Sequence, residues 1–340
     1  MLARRIGLNV SYNGKNISKD IAKYITSFSI SDAMGGEADK VDITLEDREE
    51  LWMGDWFPTR GDTLEVGITK QDWDAQGDNA ELPFGKFELD QIKNAGPPNT
   101  AQIGAVSIPN NAAIRSVMKT RSWEKTKLSV IENDIAAGAG LEAYFEAADD
   151  PVMERAEQSG QTDMEFLMKL CKDAGLALKV TDEKIVIFDE EKYEKEEVVL
   201  TITRGKSAVA SYDFTSTIRN IYKACHVKYK HGKKASVIEY TYTDPNRANE
   251  EGITLEVNEK VESLEEAEKL AKKKLREKNK EEIKGSMTVL GNFLLLASNT
   301  INISGWHVYD GKYIIEKATH SVGSGGYTVS IDIRRCLNGY

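Results

Sequence analysis

The sequence predicts an α+β chain, mainly β, in which two similar antiparallel β-modules flank a small α/β insert. Three observations predict it. First, residues 299–335 repeat a pattern met at 63–108. The later stretch reads T-I-N-I-S-G-W, a short polar loop, D-G-K-Y-I-I-E-K-A-T-H, a Gly-rich turn, then Y-T-V-S-I-D-I-R. The earlier one reads T-L-E-V-G-I, a longer polar loop, F-G-K-F-E-L-D-Q-I-K, a Gly/Pro turn, then T-A-Q-I-G-A-V-S-I. Each places Gly-Lys-aromatic after a strand, at Gly85-Lys86-Phe87 and at Gly311-Lys312-Tyr313, and self-similarity of this kind marks repeated structural units. Second, period-two alternation dominates both ends of the chain. Third, helical spacing takes over between them. The expected domains are 1–108, 109–200 and 201–340.

In the first domain Ile6, Leu8 and Val10 alternate with polar residues, and Asn13-Gly14 offers a hairpin turn. Phe28 and Ile30, then Val41, Ile43 and Leu45, read as a long hairpin about Gly35-Gly36. Trp52 and Trp56 bracket Gly54-Asp55. Arg60-Gly61-Asp62 turns the chain into a strand over 64–68. The loop 71–83 is acidic and holds Trp73, which either folds back on the module or touches a neighbouring subunit. Trp306 and Tyr309 join it as candidate subunit or partner interface residues.

The insert opens with a helix over 129–139, carried by Val130, Ile131, Ile135 and Ala139. A strand over 141–145 and a short extended piece over 156–159 follow. Thr162 and Glu165 form a capping box ahead of Phe166, Leu167, Leu170, Cys171 and Ala174 on one helix face, and Gly175 ends that helix. Strands over 177–180 and 185–188 pair across Thr181-Asp182-Glu183-Lys184. The charged run 189–197 reads as a solvated loop.

In the last domain 208–214 and 221–229 alternate, and His231-Gly232-Lys233 turns the chain into 237–242. Residues 263–282 form the strongest helix, with Leu264, Ala267, Leu270, Ala271 and Leu275 as its apolar stripe and Ser263 with Glu266 as a capping box. Its remaining lysines and glutamates read as a solvated, salt-bridged face. Ile331 and Ile333 belong to the core of the last strand, so a charge at either is expected to disrupt folding or assembly.

A chain of 340 residues is long enough for two or three domains with proper cores. A net charge of −10 argues against nucleic-acid binding as the main task, which needs a basic surface, and weakly against anionic membranes. No apolar run approaches the ~20 residues that span a bilayer. The basic start Met1-Leu2-Ala3-Arg4-Arg5 resembles a signal peptide, but Asn9, Ser11, Asn13 and Lys15 interrupt the apolar core such a peptide needs. The reading is a protein made in the cytoplasm without a signal peptide. Cys171, Cys225 and Cys336 are an odd number at long spacings, which fits neither a disulfide framework nor a zinc site.

The constellations that could carry chemistry do not complete a site. Gly205-Lys206-Ser207 looks like the end of a phosphate loop, but that loop needs glycine where Leu200 stands, and no helix pattern follows. Cys225, His226 and His231 cannot converge on one face of a strand, and His307 and His320 are isolated. Asp149, Asp150 and Glu154 supply carboxylates a glycosidase would want, yet they crowd an acidic linker beside Pro151. No catalytic, cofactor or metal residue is assigned, and the chain reads as a non-enzyme.

The tract Gln158-Ser159-Gly160-Gln161-Thr162-Asp163-Met164-Glu165-Phe166-Leu167, running on to Ala174-Gly175-Leu176, is similar to a segment of phage tail hub proteins, where a t-D-x-x-F-L-x-x-L-x-x-x-x-G helix precedes a strand. Asp55-Trp56-Phe57-Pro58 with Gly61-Asp62 resembles their W-x-P-x-x-G-D turn. The charged helix, Gly305, Asp310-Gly311-Lys312-Tyr313, His320 and Gly326-Tyr327-Thr328 follow in the same order as in that family. The chain resembles the late control protein D and baseplate tail hub group, in the short form of contractile phages and phage-like elements of Gram-positive bacteria. It departs at Asn299-Thr300, where relatives often carry another Gly-Asp turn.

The resemblance implies barrel-like, tube-type domains and a structural virion component. It implies a homotrimeric ring of pseudo-sixfold symmetry that joins a hexameric tail tube to a threefold spike or tail-tip protein. Other baseplate proteins and a tape-measure protein would be its neighbours, and DNA would pass as cargo through a lumen that its acidity would suit. Two alternatives stand beside this: a cell-wall-degrading or wall-binding tail-tip protein using Asp149, Asp150 and Glu154, and a hexameric tube-like subunit with one barrel per chain.

Overall fold

Hairpin chemistry sets the first part of the chain. The computed structural model describes residues 4–59, 61–73, 75–107, 113–181, 183–230, 237–249 and 251–339. Asn13 and Gly14 both take positive φ, 48° and 80°, the paired left-handed conformation of a two-residue hairpin turn. They reverse Arg5–Tyr12 into Lys15–Asn16. Antiparallel neighbours then run in the order Ile25–Ala33, Lys40–Glu46, Thr100–Val106, Ala80–Ala95, Thr63–Gln71 and Arg5–Tyr12. Alternate side chains of these strands, among them Val10, Ile30, Val41, Ile43, Leu45, Val66 and Ile68, are buried on one face.

The second set of strands follows the same order: Val209–Ser216, Ile283–Leu290, Gly326–Arg335, Gly311–Gly323, Thr300–Ser304 and Val198–Thr203. The register is repeated as well. Leu64 lies opposite Phe87 and Val66 opposite Gly85, as Ile301 lies opposite Tyr313 and Ile303 opposite Gly311. Gly85 and Gly311 both have positive φ, and Phe87 and Tyr313 are both fully buried. The Leu89 amide donates to Asp62 O at 3.0 Å, and the Ile315 amide donates to Asn299 O at the same distance. The expected repeat therefore holds and reaches back to the preceding strands. One pairing differs: Arg5–Tyr12 is antiparallel to its neighbour, whereas Val198–Thr203 is parallel to Thr300–Ser304. The sheets are large and antiparallel, but among the described residues no closed barrel forms.

The chain forms two compact units. One contains Met1–Asp189, Thr288–Ala297 and Glu316–Ile331; the other contains Glu190–Met287, Ser298–Ile315 and Asp332–Tyr340. In the first unit, helices Leu128–Ala139 and Asp163–Ala174 pack through Leu128, Ile131, Ile135, Phe166, Leu167 and Cys171 against the sheet of Ala177–Val180, Lys184–Phe188 and Glu142–Glu146. The capping box forms as expected: Thr162 Oγ1 accepts from Glu165 N, and Glu165 Oε2 accepts from Thr162 N. Lys179 Nζ joins Asp32 at 2.8 Å and Asp39 at 3.2 Å, which ties the insert sheet to the hairpin at Ile25–Ala33. In the second unit, helix Leu264–Asn279 lays Ala267, Ala271 and Leu275 on Cys225 and Val227 of a three-stranded sheet.

Three expectations need correction, and one strand went unread. The run 189–197 is not a solvated loop. It holds the helix Glu190–Lys195, whose Glu194 is buried and receives the guanidinium groups of Arg334 and, at 2.7 Å, Arg276. Glu190 binds Arg334 at 2.8 Å and Lys280 at 3.2 Å, and Leu337 N donates to Glu194 at 3.1 Å. Burial alone would raise the Glu190 pKa, but the adjacent Arg334 and Lys280 outweigh it and lower it. Leu264 of the expected apolar stripe is exposed. At Ser263 only half of the capping box forms, because Glu266 turns its carboxylate to Glu262 N instead. Lys119–Lys127 is a full strand paired with Val152–Gln161, which the sequence hid because polar residues line most of both strands. The turn expected at His231-Gly232-Lys233 lies outside the described residues, as do Arg60 and Asp182 of two other expected turns.

Replacing Glu194 with Ala leaves the buried Arg334 with Glu190 alone and takes the carboxylate from Arg276. Urea unfolding is expected to show a loss of about 3–5 kcal/mol, the usual cost of breaking one side of a buried ion pair. Asp62→Ala is expected to cost about 2 kcal/mol, because its carboxylate accepts hydrogen bonds from Tyr12, from Asn13 at 2.8 Å and from Thr59 N at 2.6 Å.

Candidate assembly surfaces

The interface candidates are placed by the loops that follow the repeated strand. Trp73 is folded back, the first of its two readings: it is buried, and its Nε1 donates to Gly291 O at 2.9 Å. Its ring meets Tyr327 edge-on at 5.5 Å. Position 291 admits only glycine here, since a Cβ would lie 1.9 Å from the Tyr327 ring. Trp306 is buried too, edge-on to Tyr212 at 5.4 Å. Its Nε1 has no hydrogen-bond partner among the described residues. Tyr309 is half-buried and stacks on Phe214 at 4.9 Å, leaving Tyr212 and Val308 exposed beside it. The structure thus uses both tryptophans inside the chain and leaves Tyr309 at the edge of a surface aromatic cluster.

The chemistry-bearing motifs stay apart. Gly205-Lys206-Ser207 forms a turn between Val198–Thr203 and Val209–Ser216, with Ser207 Oγ accepting from Thr203 N. Cys225 is buried while His226 points to the opposite face, as strand alternation requires. There His226 is held between Glu239 at 2.9 Å and Glu256 at 2.8 Å, one carboxylate on each ring nitrogen. Carboxylates on opposite ring edges do not converge on one ion, and no metal-ligand group occurs among the described residues. Asp150 caps the helix start, accepting from Ser129 N at 3.1 Å and Ser129 Oγ at 2.7 Å. His307 is exposed at a positive φ of 58°. Among the described residues no helix is long and apolar enough to cross a membrane.

Sequence reasoning missed a group of exposed apolar residues ahead of the repeated strands. Met53, Trp56 and Phe57 are exposed in the loop before Thr63–Gln71, and Leu290 and Leu294 are exposed before Thr300–Ser304. An ungapped overlay of the two sequence stretches would have aligned these residues with one another, but only the fold shows that they are exposed.

A family model described as YQBQ-like matches residues 157–334. The chain belongs to the YQBQ-like family. Over 175 residues this YQBQ-like chain is 28% identical to a protein of Escherichia phage P2 described as a probable baseplate hub protein. That match takes in 51% of the chain but only 43% of the phage protein, so the chain spans well under two thirds of that relative. The fold is similar to that of a tail protein from Neisseria meningitidis, with TM-score 0.70 and 15% identity over 97% of each chain. It is also similar to a type VI secretion component of E. coli, described as resembling the T4 tail proteins gp27 and gp5. There the TM-score is 0.59 and the identity 13%, covering all of this chain and 79% of that one. The tail-hub resemblance read from 158–176 thus agrees with both kinds of relative, and the fold is that of phage tail proteins.

The loop that carries Leu294 is pinned by His320, which is fully buried. Its Nε2–H donates to Leu295 O at 2.9 Å, and Nδ1 accepts from the Tyr327 hydroxyl at 2.6 Å. Burial pushes its pKa down to about 4, more than the Leu295 carbonyl and Asp32 can offset. A depressed histidine pKa stabilises the folded state above the unfolded value, and that stability is lost as pH falls from about 6.5 towards 4. Urea unfolding at pH 7 and pH 4.5 is expected to show about 2–3 kcal/mol of acid destabilisation that His320→Gln lacks.

Proposed function

We propose that this YQBQ-like chain is a structural hub subunit of a phage-type tail baseplate. The observation that carries the reading is the module repeated in strand order and register within one chain. Curated relatives described as probable baseplate hub proteins, and a fold shared with tail proteins, support it. Three subunits with two modules each would offer six like faces around one axis, which suits a threefold part joined to a sixfold one. On this reading the chain forms a homotrimer. It meets the tail tube on one side and a spike or tail-tip protein on the other, with other baseplate proteins and a tape-measure protein nearby. DNA passes only as cargo, and the chain acts in the virion or phage-like particle. Function then lies in burial and strand geometry rather than in catalysis. The aromatic cluster at Tyr309, Tyr212 and Val308 is proposed as one of its contact surfaces.

Light scattering after size exclusion tests the reading. The expected mass is three times that of the 37.9 kDa chain, alone or after addition of tail-tube protein. A hexamer would favour the tube-like alternative. A chain that remains monomeric with tube rings present would count against the hub.

A further inference from the structure

The repeat runs on into the loops that precede its strands. Without a gap, residues 52–67 overlay 289–304. Gly54 falls on Gly291, Asp55 on Asn292, Asp62 on Asn299 and Thr63 on Thr300. Gly61 and Ser298, one residue before the shared Asx, both take left-handed φ, 90° and 70°. Burial follows the overlay. Trp52 and Val289 are buried, as are Pro58 and Leu295. Between these anchors the overlay sets an exposed trio on an exposed trio. Met53 at 46% exposure matches Leu290 at 43%, and Phe57 at 55% matches Leu294 at 49%. Trp56 at 41% matches the partly exposed Phe293.

Buried matches are explained by packing, because both modules must fill the same interior. Trp56 and Phe293 also pack within the chain, edge-on to Trp52 at 5.5 Å and to Tyr327 at 6.1 Å. Filling an interior does not explain why Met53 and Leu290, or Phe57 and Leu294, keep about half of their apolar surface in water. Scattered exposed apolar residues need no explanation, but the same trio kept twice at one place in two otherwise divergent repeats does. We propose that Met53, Trp56 and Phe57 form one docking site and Leu290, Phe293 and Leu294 a second copy of it. One chain with two like sites fits a partner with two like acceptors, namely neighbouring subunits of one homo-oligomeric ring. Charge narrows the acceptor further. The first site is rimmed by exposed Glu49, Glu50 and Asp55 against one nearby lysine, Lys23, which lies over the Tyr24 ring beside Trp56, while Arg48 is paired with Glu46; the rim is acidic on balance. Residues 290–299 carry no charged side chain, and the Lys70 ammonium that lies over the Phe293 ring at 5.5 Å is paired with Asp78 at 2.8 Å. The acceptor is therefore an apolar groove with a basic border, whose charge is felt at the first site and not at the second. The inference rests on the hub reading and names the tube ring as the occupant.

The test uses the full chain and purified tail-tube rings of the same particle. Phe57→Ser and Leu294→Ser alter exposed side chains, so melting temperatures should stay unchanged. Leu264→Ser, at the exposed start of the long helix, serves as the control. Each single variant is expected to weaken binding about tenfold or more, and the double variant to abolish it, as loss of one of two linked contacts predicts. Added salt should weaken Leu294→Ser, which relies on the acidic-rimmed site, more than Phe57→Ser. If the unaltered chain binds rings and both variants bind within about twofold of it, the docking sites are wrong while the hub reading stands. If the unaltered chain binds no ring, both fail together. If the variants instead change the mass of the free chain, the trios join copies of this chain and the ring proposal is overturned.

Discussion

A left-handed residue followed by an Asx residue turns each β-module into its meander. At Gly61-Asp62 and Ser298-Asn299 the chain reverses, and the carbonyl of the Asx residue then accepts the amide of the strand beside it, from Leu89 and from Ile315. That bond fixes register. A slip of one residue would turn Phe87 or Tyr313 out to water and bring Lys86 or Lys312 inward, because side chains alternate along a strand. In the first module the corner is reinforced by Asp62. Burial opposes the charge on its carboxylate, but hydrogen bonds from Tyr12, Asn13 and Thr59 prevail and hold its pKa near 2. In the second, serine tolerates a backbone conformation that glycine adopts more readily. Asn299 keeps the accepting carbonyl, so the departure from a Gly-Asp turn leaves the corner intact.

Around this frame, buried charge holds what apolar packing does not. Lys179 bridges Asp32 and Asp39, and burial raises the Asp39 pKa despite that lysine. Glu190 and Glu194 gather Arg334, Arg276 and Lys280 in the other unit. Such groups are costly to bury singly and tolerable when every partner is present. They tie together strands and helices far apart in sequence. Glu132 is the exception. Its carboxyl is fully buried, and burial pushes its pKa up to about 7, more than the backbone amides of Tyr144 and Ile187 can offset.

A repeated module changes what a surface residue means. In a single module an exposed phenylalanine is unremarkable, whereas two modules with the same exposed trio constrain each other. The two folded-back tryptophans are matched in a looser way. Trp73 and Trp306 both sit in the loop that follows the repeated strand, and both are buried, but only the Trp73 indole finds a hydrogen-bond partner among the described residues. The reading of the chain as an assembly part rather than a catalyst rests on this doubling and on its relatives.

Local chemistry alone determined much of this protein. Asn13-Gly14, the Thr162–Glu165 box, the alternation of Ile6, Leu8 and Val10, and the Gly-Lys-aromatic repeat each act within a few residues, so each was legible in the sequence. So were the opposed faces of Cys225 and His226. Tertiary structure decided what depends on distant partners. The charged run at 189–197 became a helix with a buried Glu194 because Arg334 and Arg276 meet it. Leu264, at the first residue of its helix, is left exposed although its spacing lines it up with Ala271 and Leu275. The polar strand Lys119–Lys127 exists because Val152–Gln161 pairs with it. The candidate docking trios belong to this second class: exposure is a property of the folded surface, and no local pattern separates an apolar residue that turns inward from one left in water.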